Sequence, residues 1–155
     1  MKTLIASLLG AAVLSASLTA QAQIDPEDQI KLRKAGYSFM AWNMGKIKAM
    51  AIDEAVEYDQ QQILAAANTI NAIAQSGMGA LFGPGTEQDV GNQTTRVEPA
   101  LFDNFPDVAE LSRDLVAASN NLVEQAENGD QADVRSAFAQ VGRACSSCHD
   151  KYRKD

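Results

Sequence analysis

The sequence predicts an all-α chain folded as an antiparallel four-helix bundle. Apolar residues recur at alternating steps of three and four through four separate stretches, β-branched alternation is absent, and two of the three connections look short. At 155 residues the chain is sized for one domain, long enough to bury a hydrophobic core without staples.

The first helix opens at Asp25-Pro26-Glu27-Asp28, with a capping acid, proline at the first helical position and acids in the first turn. It is expected to run to about Ile52 on an inward stripe of Ile30, Arg33, Tyr37, Met40, Met44, Ile47 and Ala51. The second starts near Asp59, with Gln62 completing a weak capping box, and turns Ile63, Ala66, Ala67, Ile70, Ile73 and Ala74 inward before stopping near Gly77. Residues 77 to 104 hold five of the ten glycines and two of the four prolines, which reads as loop. The third helix starts around Asn104 to Asp107, with Val108, Leu111, Leu115, Ala118, Leu122 and Ala126 on one face. Asn128-Gly129 is expected to end it in a left-handed cap. Asp130 caps the fourth, which presents Val134, Phe138, Val141, Cys145, Cys148 and Tyr152.

Residues 1–22 read as an export signal, leaving 23–155 as the bundle. Lys2 gives a positive start, Leu4 to Leu18 is an apolar run, and Ala20-Gln21-Ala22 supplies a small-x-small cleavage site. A membrane anchor is the competing reading, but the run is short for a span of about 20 residues. No later stretch is long and apolar enough to cross a bilayer. The expected product is exported and periplasmic, with no membrane association after cleavage.

Composition excludes further classes. A formal charge of −7 argues against nucleic acid and anionic lipid as main partners, and leaves a basic redox partner open. Two cysteines allow at most one disulfide, and one histidine removes every site that needs a histidine pair from the same chain.

Those scarce residues meet in Cys145-Ser146-Ser147-Cys148-His149. C-x-x-C-H is the pattern of c-type haem attachment. On a helix, positions three and four apart share a face, so both thiols and the imidazole point the same way. The thiols can add to two vinyl groups on one porphyrin edge while the imidazole of His149 reaches the iron. A thioredoxin-like pair would need a βαβ context, a zinc site would need more ligands, and a structural disulfide would leave the histidine unexplained.

The sixth coordination position has two readings. Met40 or Met44 on the first helix can in principle close it, giving a low-spin electron carrier. Alternatively Arg33 and Tyr37, polar residues on the inward stripe, belong to a pocket, with Arg33 on a haem propionate and Tyr37 over an open iron face. The blander account makes Arg33 a boundary residue and Tyr37 a core ring whose hydroxyl reaches solvent.

The chain resembles cytochrome c′, the high-spin branch of the class II c-type cytochromes. The likeness rests on Arg33 with Met40, the loop Phe82-Gly83-Pro84-Gly85-Thr86-Glu87, and the run from Cys145 to Arg153. It implies a bundle, usually a homodimer, holding one covalent haem c on Cys145 and Cys148, with His149 as the sole protein ligand and a face open to NO and often CO. By the same resemblance, Arg33, Lys34, Thr86 and Glu87 contact the haem edge, Arg153 lies on the proximal side, and Tyr37 stands where the family often has leucine. The functions in play are gas binding and electron transfer. An enzymatic role is not expected, because a peroxidase would need a distal histidine that the chain lacks. For the dimer, Met50 or Trp42 on the outer faces of the first two helices is a candidate contact.

Overall fold

The computed structural model describes residues 24–154. The expected export signal, residues 1–22, lies outside them. Four helices form an antiparallel bundle: α1 (Pro26–Ile47), α2 (Gln60–Gln75), α3 (Phe105–Asn128) and α4 (Gln131–Tyr152). Among the described residues there are no strands, only two isolated bridges.

Local chemistry sets the helix starts. The Asp25 side chain accepts from the Glu27 amide at 2.9 Å, with Pro26 following, and Asp59 accepts from the Gln62 amide at 3.0 Å. Asp130 and Asp133 form a reciprocal capping box at α4. Each cap satisfies amides that the first helical turn leaves without carbonyl partners.

Two expectations need correction. The first helix does continue to about Ile52, but beyond α1 its last turn, Lys48–Ile52, is π-helical. The wider turn rotates the chain so that Met50 and Ala51 both face inward, at 4% and 0% exposure. Met50 is therefore a core residue and cannot serve a dimer face. Gly129 is not left-handed either; its φ is −89° with ψ at 175°. A Cβ there would sit 2.8 Å from the Gln125 carbonyl, so glycine answers a close approach where the extended chain enters the Asp130 cap.

The main core runs along the bundle axis through Ile47, Ile63, Ile70, Leu122, Val134 and Val141, all fully buried. A smaller cluster of Val97, Leu101, Leu111 and Tyr152 joins the long loop to α3 and α4. α3 packs on α2 and α4, and α1 packs on α2. α4 meets the first helix mainly through the π-turn, so the two are not in broad contact at the end that carries the cysteines.

The loop is pinned by backbone geometry. Pro84-Gly85 occupies the centre of a turn closed by the Thr86 amide on the Gly83 carbonyl at 3.2 Å, and Gly85 has a φ of +84° that a side chain would resist. This turn drives Thr86 to complete burial.

Candidate functional site

α4 brings Cys145, Cys148 and His149 to one side of its C-terminal turns. Both thiols are half-buried and unjoined. Cys145 packs on the main core and Cys148 on the smaller cluster, so the pair spans the seam between two apolar regions. Burial pushes both thiols up; Cys145 and Asp107 add to the effect at Cys148. His149 is at the surface, and desolvation first, then the Arg153 cation, holds its imidazole below the usual range. That favours the neutral ring, the form that binds a metal.

Tyr37 of α1 lies within electrostatic reach of both thiols. It keeps 42% of its surface exposed, yet protein crowded around it pushes the phenol up to about 12, with Cys148 and Cys145 contributing and Arg33 opposing. Tyr37 therefore stands near both thiols, and it is less buried than its place on the inward stripe implied.

Arg33 is 4% exposed, and its charge is shared with the loop. Nη1 donates to the Leu81 carbonyl at 3.1 Å and the Thr86 hydroxyl at 2.8 Å. Nη2 donates to the Thr86 carbonyl and the Thr95 hydroxyl, both at 2.7 Å. The guanidinium also lies 4.7 Å from the centre of the Phe82 ring. Burial lowers its pKa from the usual arginine value. Arg33 is thus first a clamp on the loop. Thr86 returns its own proton to the Gly83 carbonyl at 2.9 Å, while Glu87 is half-buried and Lys34 reaches only Gln93, at 3.5 Å.

Arg153 lies one turn beyond His149, with Nη1 3.4 Å from His149 Nδ1. The site residues thus fall into two groups: Arg33, Tyr37 and the cysteines on the seam, and His149 with Arg153 at the chain end. Several contributors escaped sequence reasoning. Gln29 accepts from the Gly83 amide at 3.0 Å, Thr95 holds Arg33, and Arg96 and Lys154 join the His149 neighbourhood. Only Gln29 carried a signal, as a second polar residue one turn before Arg33.

The donor set fits a covalently held haem. Two unjoined thiols border both apolar clusters, and an imidazole follows on the same helix face. Among the described residues no three His, Cys, Asp or Glu side chains converge as a metal cage would require.

Comparison with known proteins agrees. The family model for Cytochrome C' matches residues 28–153. The cytochrome c′ of Allochromatium vinosum is 53% identical over 138 residues, covering 89% of this chain and 88% of that protein. A solved cytochrome c′ described as having an unusual ligand-controlled dimer dissociation superposes with a TM-score of 0.82 at 53% identity, covering 86% of this chain and 100% of that one. The nitric oxide complex of a cytochrome c′ variant from Alcaligenes xylosoxidans matches with a TM-score of 0.74 at 28% identity, covering 85% and 98%; a carbon monoxide complex of another variant is also similar. With the family match spanning nearly all the described residues, and its cysteines in place for covalent attachment, the chain belongs to the cytochrome c′ family, whose members bind haem c.

Proposed function

We propose that this chain is a periplasmic gas-binding haem protein, with His149 as the only protein ligand to iron and the opposite face open to NO and CO. The observation that carries the reading is the pair of half-buried, unjoined thiols at the border of both apolar clusters, with His149 following on the same face of α4. When bound, haem c supplies an iron that exchanges one electron and coordinates a diatomic ligand.

The residues divide the work. Cys145 and Cys148 anchor, His149 coordinates, and Tyr37 guards the open face with a phenol that stays protonated at physiological pH. Arg33 and Thr86 hold the loop at the haem edge, with Lys34 and Glu87 at its rim. Arg153 sits beside the outer nitrogen of His149. None of these is assigned a catalytic step. Transfer of an electron to a periplasmic redox partner is compatible with the same centre.

Gas complexes of the Alcaligenes relative support the ligand class. The leader pattern in residues 1–22 supports export, and no helix among the described residues is long and apolar enough to cross a membrane. Leu32, Phe39 and Trp42 of α1 are exposed at 47%, 51% and 58%, with Phe39 stacked on Trp42 at 5.4 Å. These three residues form a dimer face on the side of α1 away from the core.

The test is spectroscopic and chemical together. Protein purified from a cell that matures c-type cytochromes should carry one haem that resists acid extraction, and the reduced form should bind CO. Extractable haem, or a reduced spectrum that CO leaves unchanged, overturns the reading.

A further inference from the structure

At the cysteine end α1 is held from one side. It is not in broad contact with α4 there, so its position depends on α2 and on the segment that follows α2. That segment is short. α2 ends at Gln75, Gly77 turns in the left-handed region with a φ of +81°, and Met78–Leu81 forms one 3-10 turn that packs on α1.

The turn meets α1 at two points. The carbonyl of its last residue, Leu81, accepts from Arg33 Nη1 at 3.1 Å. Its first residue, Met78, is half-buried against Gly36. A Cβ on Gly36 would come within 2.8 Å of Met78 Cε and 3.1 Å of its Sδ, and 3.8 Å from Ile73 Cγ2 of α2. The thioether therefore occupies the gap between α1 and α2. Gly45, further along the same helix, has nothing within 4 Å of its own Cβ position. Glycine inside a helix is unfavourable relative to alanine, and at Gly36 the seated methionine accounts for it.

Gly36 directly precedes Tyr37, and Arg33 lies one turn before it. Tyr37 is thus carried by the turn of α1 on which both contacts act. An unbranched thioether fills such an irregular gap well, and close-packed interiors pass small displacements on to their neighbours.

We propose that Met78 is a positioning residue for Tyr37: its thioether, seated on Gly36, sets the spacing of α1 from α2 and with it where the Tyr37 ring is held. The consequence for gas binding rests on Tyr37 guarding the open face; the positioning itself rests on the contact between Met78 and Gly36.

Two readouts on the haem-loaded protein test this. Nuclear magnetic resonance shifts of the Tyr37 ring protons in the oxidised form report the ring's position relative to the paramagnetic iron, and CO titration of the reduced form reports access to it. Met78→Ala removes the spacer and should move the Tyr37 shifts and raise CO affinity about threefold, the size expected of a residue acting through a neighbour. Met78→Leu, which nearly conserves volume, should stay close to the parent in both. Gly36→Ala should move the Tyr37 shifts only while Met78 is present, whereas Gly45→Ala should leave them in place. A lower melting temperature in Met78→Ala is expected from lost packing alone and decides nothing between the accounts. Tyr37 shifts that stay fixed in Met78→Ala, or that respond equally to Gly36→Ala with and without Met78, overturn the proposal whatever CO does. Shifts that move while CO affinity keeps its parent value would support Met78 as the positioning residue and count against Tyr37 as the guard, so the two readings fail separately.

Discussion

Arg33 grips Thr86 twice, with one guanidinium nitrogen on the hydroxyl at 2.8 Å and the other on the carbonyl at 2.7 Å. Both residues are buried, and they lie 53 positions apart in sequence. The pair fixes the loop's height against α1, and with it Phe82, whose ring lies under the guanidinium and packs in the cluster that borders Cys148.

Thr86→Val tests that clamp with little change of shape. It removes the acceptor for Arg33 Nη1 and the donor to Gly83 while the Leu81 carbonyl remains. Leaving a buried donor short of a partner costs about 1–3 kcal/mol. Denaturant unfolding of the haem-loaded protein should show that loss; a variant as stable as the parent would mean the loop is held elsewhere.

Tyr37→Ala should raise CO affinity on the order of tenfold, equivalent to about 1.4 kcal/mol, because no ring then has to swing aside. Tyr37→Phe separates the effects, since it keeps the ring and removes the hydroxyl. CO titration of the reduced protein reads both. Unchanged affinity in the alanine variant would remove Tyr37 from the open face.

The exposed α1 face predicts assembly. A glutamate at Phe39 or Trp42 would place a carboxylate within an apolar contact at high desolvation cost. Sedimentation velocity should show a dimer in the parent that shifts toward monomer in Phe39→Glu and Trp42→Glu. Dimers of equal strength in all three would place the interface on another face.

Asp107 gives a pH signature. The Tyr152 hydroxyl, donating at 2.6 Å, and the Lys151 ammonium at 2.9 Å hold this carboxyl below its ordinary value. A carboxyl depressed in the folded state adds stability that is fully present above its unfolded pKa, about 3.9, and is lost as pH falls through the folded value. Asp107→Asn should therefore lower the melting temperature at neutral pH, and the difference from the parent should shrink in acid below about pH 4. A constant difference from pH 7 to pH 3 would exclude the ionised pair as its source.

Much of this arrangement was legible because it is local. The cysteines and His149 fall within five residues of one helix, and the helix caps at Asp25, Asp59 and Asp130 are decided by their immediate neighbours. What the sequence could not display depends on pairing across distance. Arg33 announced itself as a buried polar residue, but its partners Leu81, Thr86 and Thr95 come from a loop without periodicity. Arg96 and Lys154 became neighbours only through the bridge between Val97 and Arg153. Met50 was misplaced because one π-turn shifts the register, a change that leaves the spacing of apolar residues nearly the same.

The central claim is a haem iron bound by His149 alone and open on the Tyr37 side. Electron paramagnetic resonance of the oxidised, haem-loaded protein, followed by optical spectra of the reduced protein with and without NO, tests it most directly. The account predicts a high-spin ferric signal and a ferrous spectrum that changes on adding NO. A low-spin ferric signal with a ferrous spectrum indifferent to NO would contradict it, and would point to Met40 or Met44 as a sixth ligand.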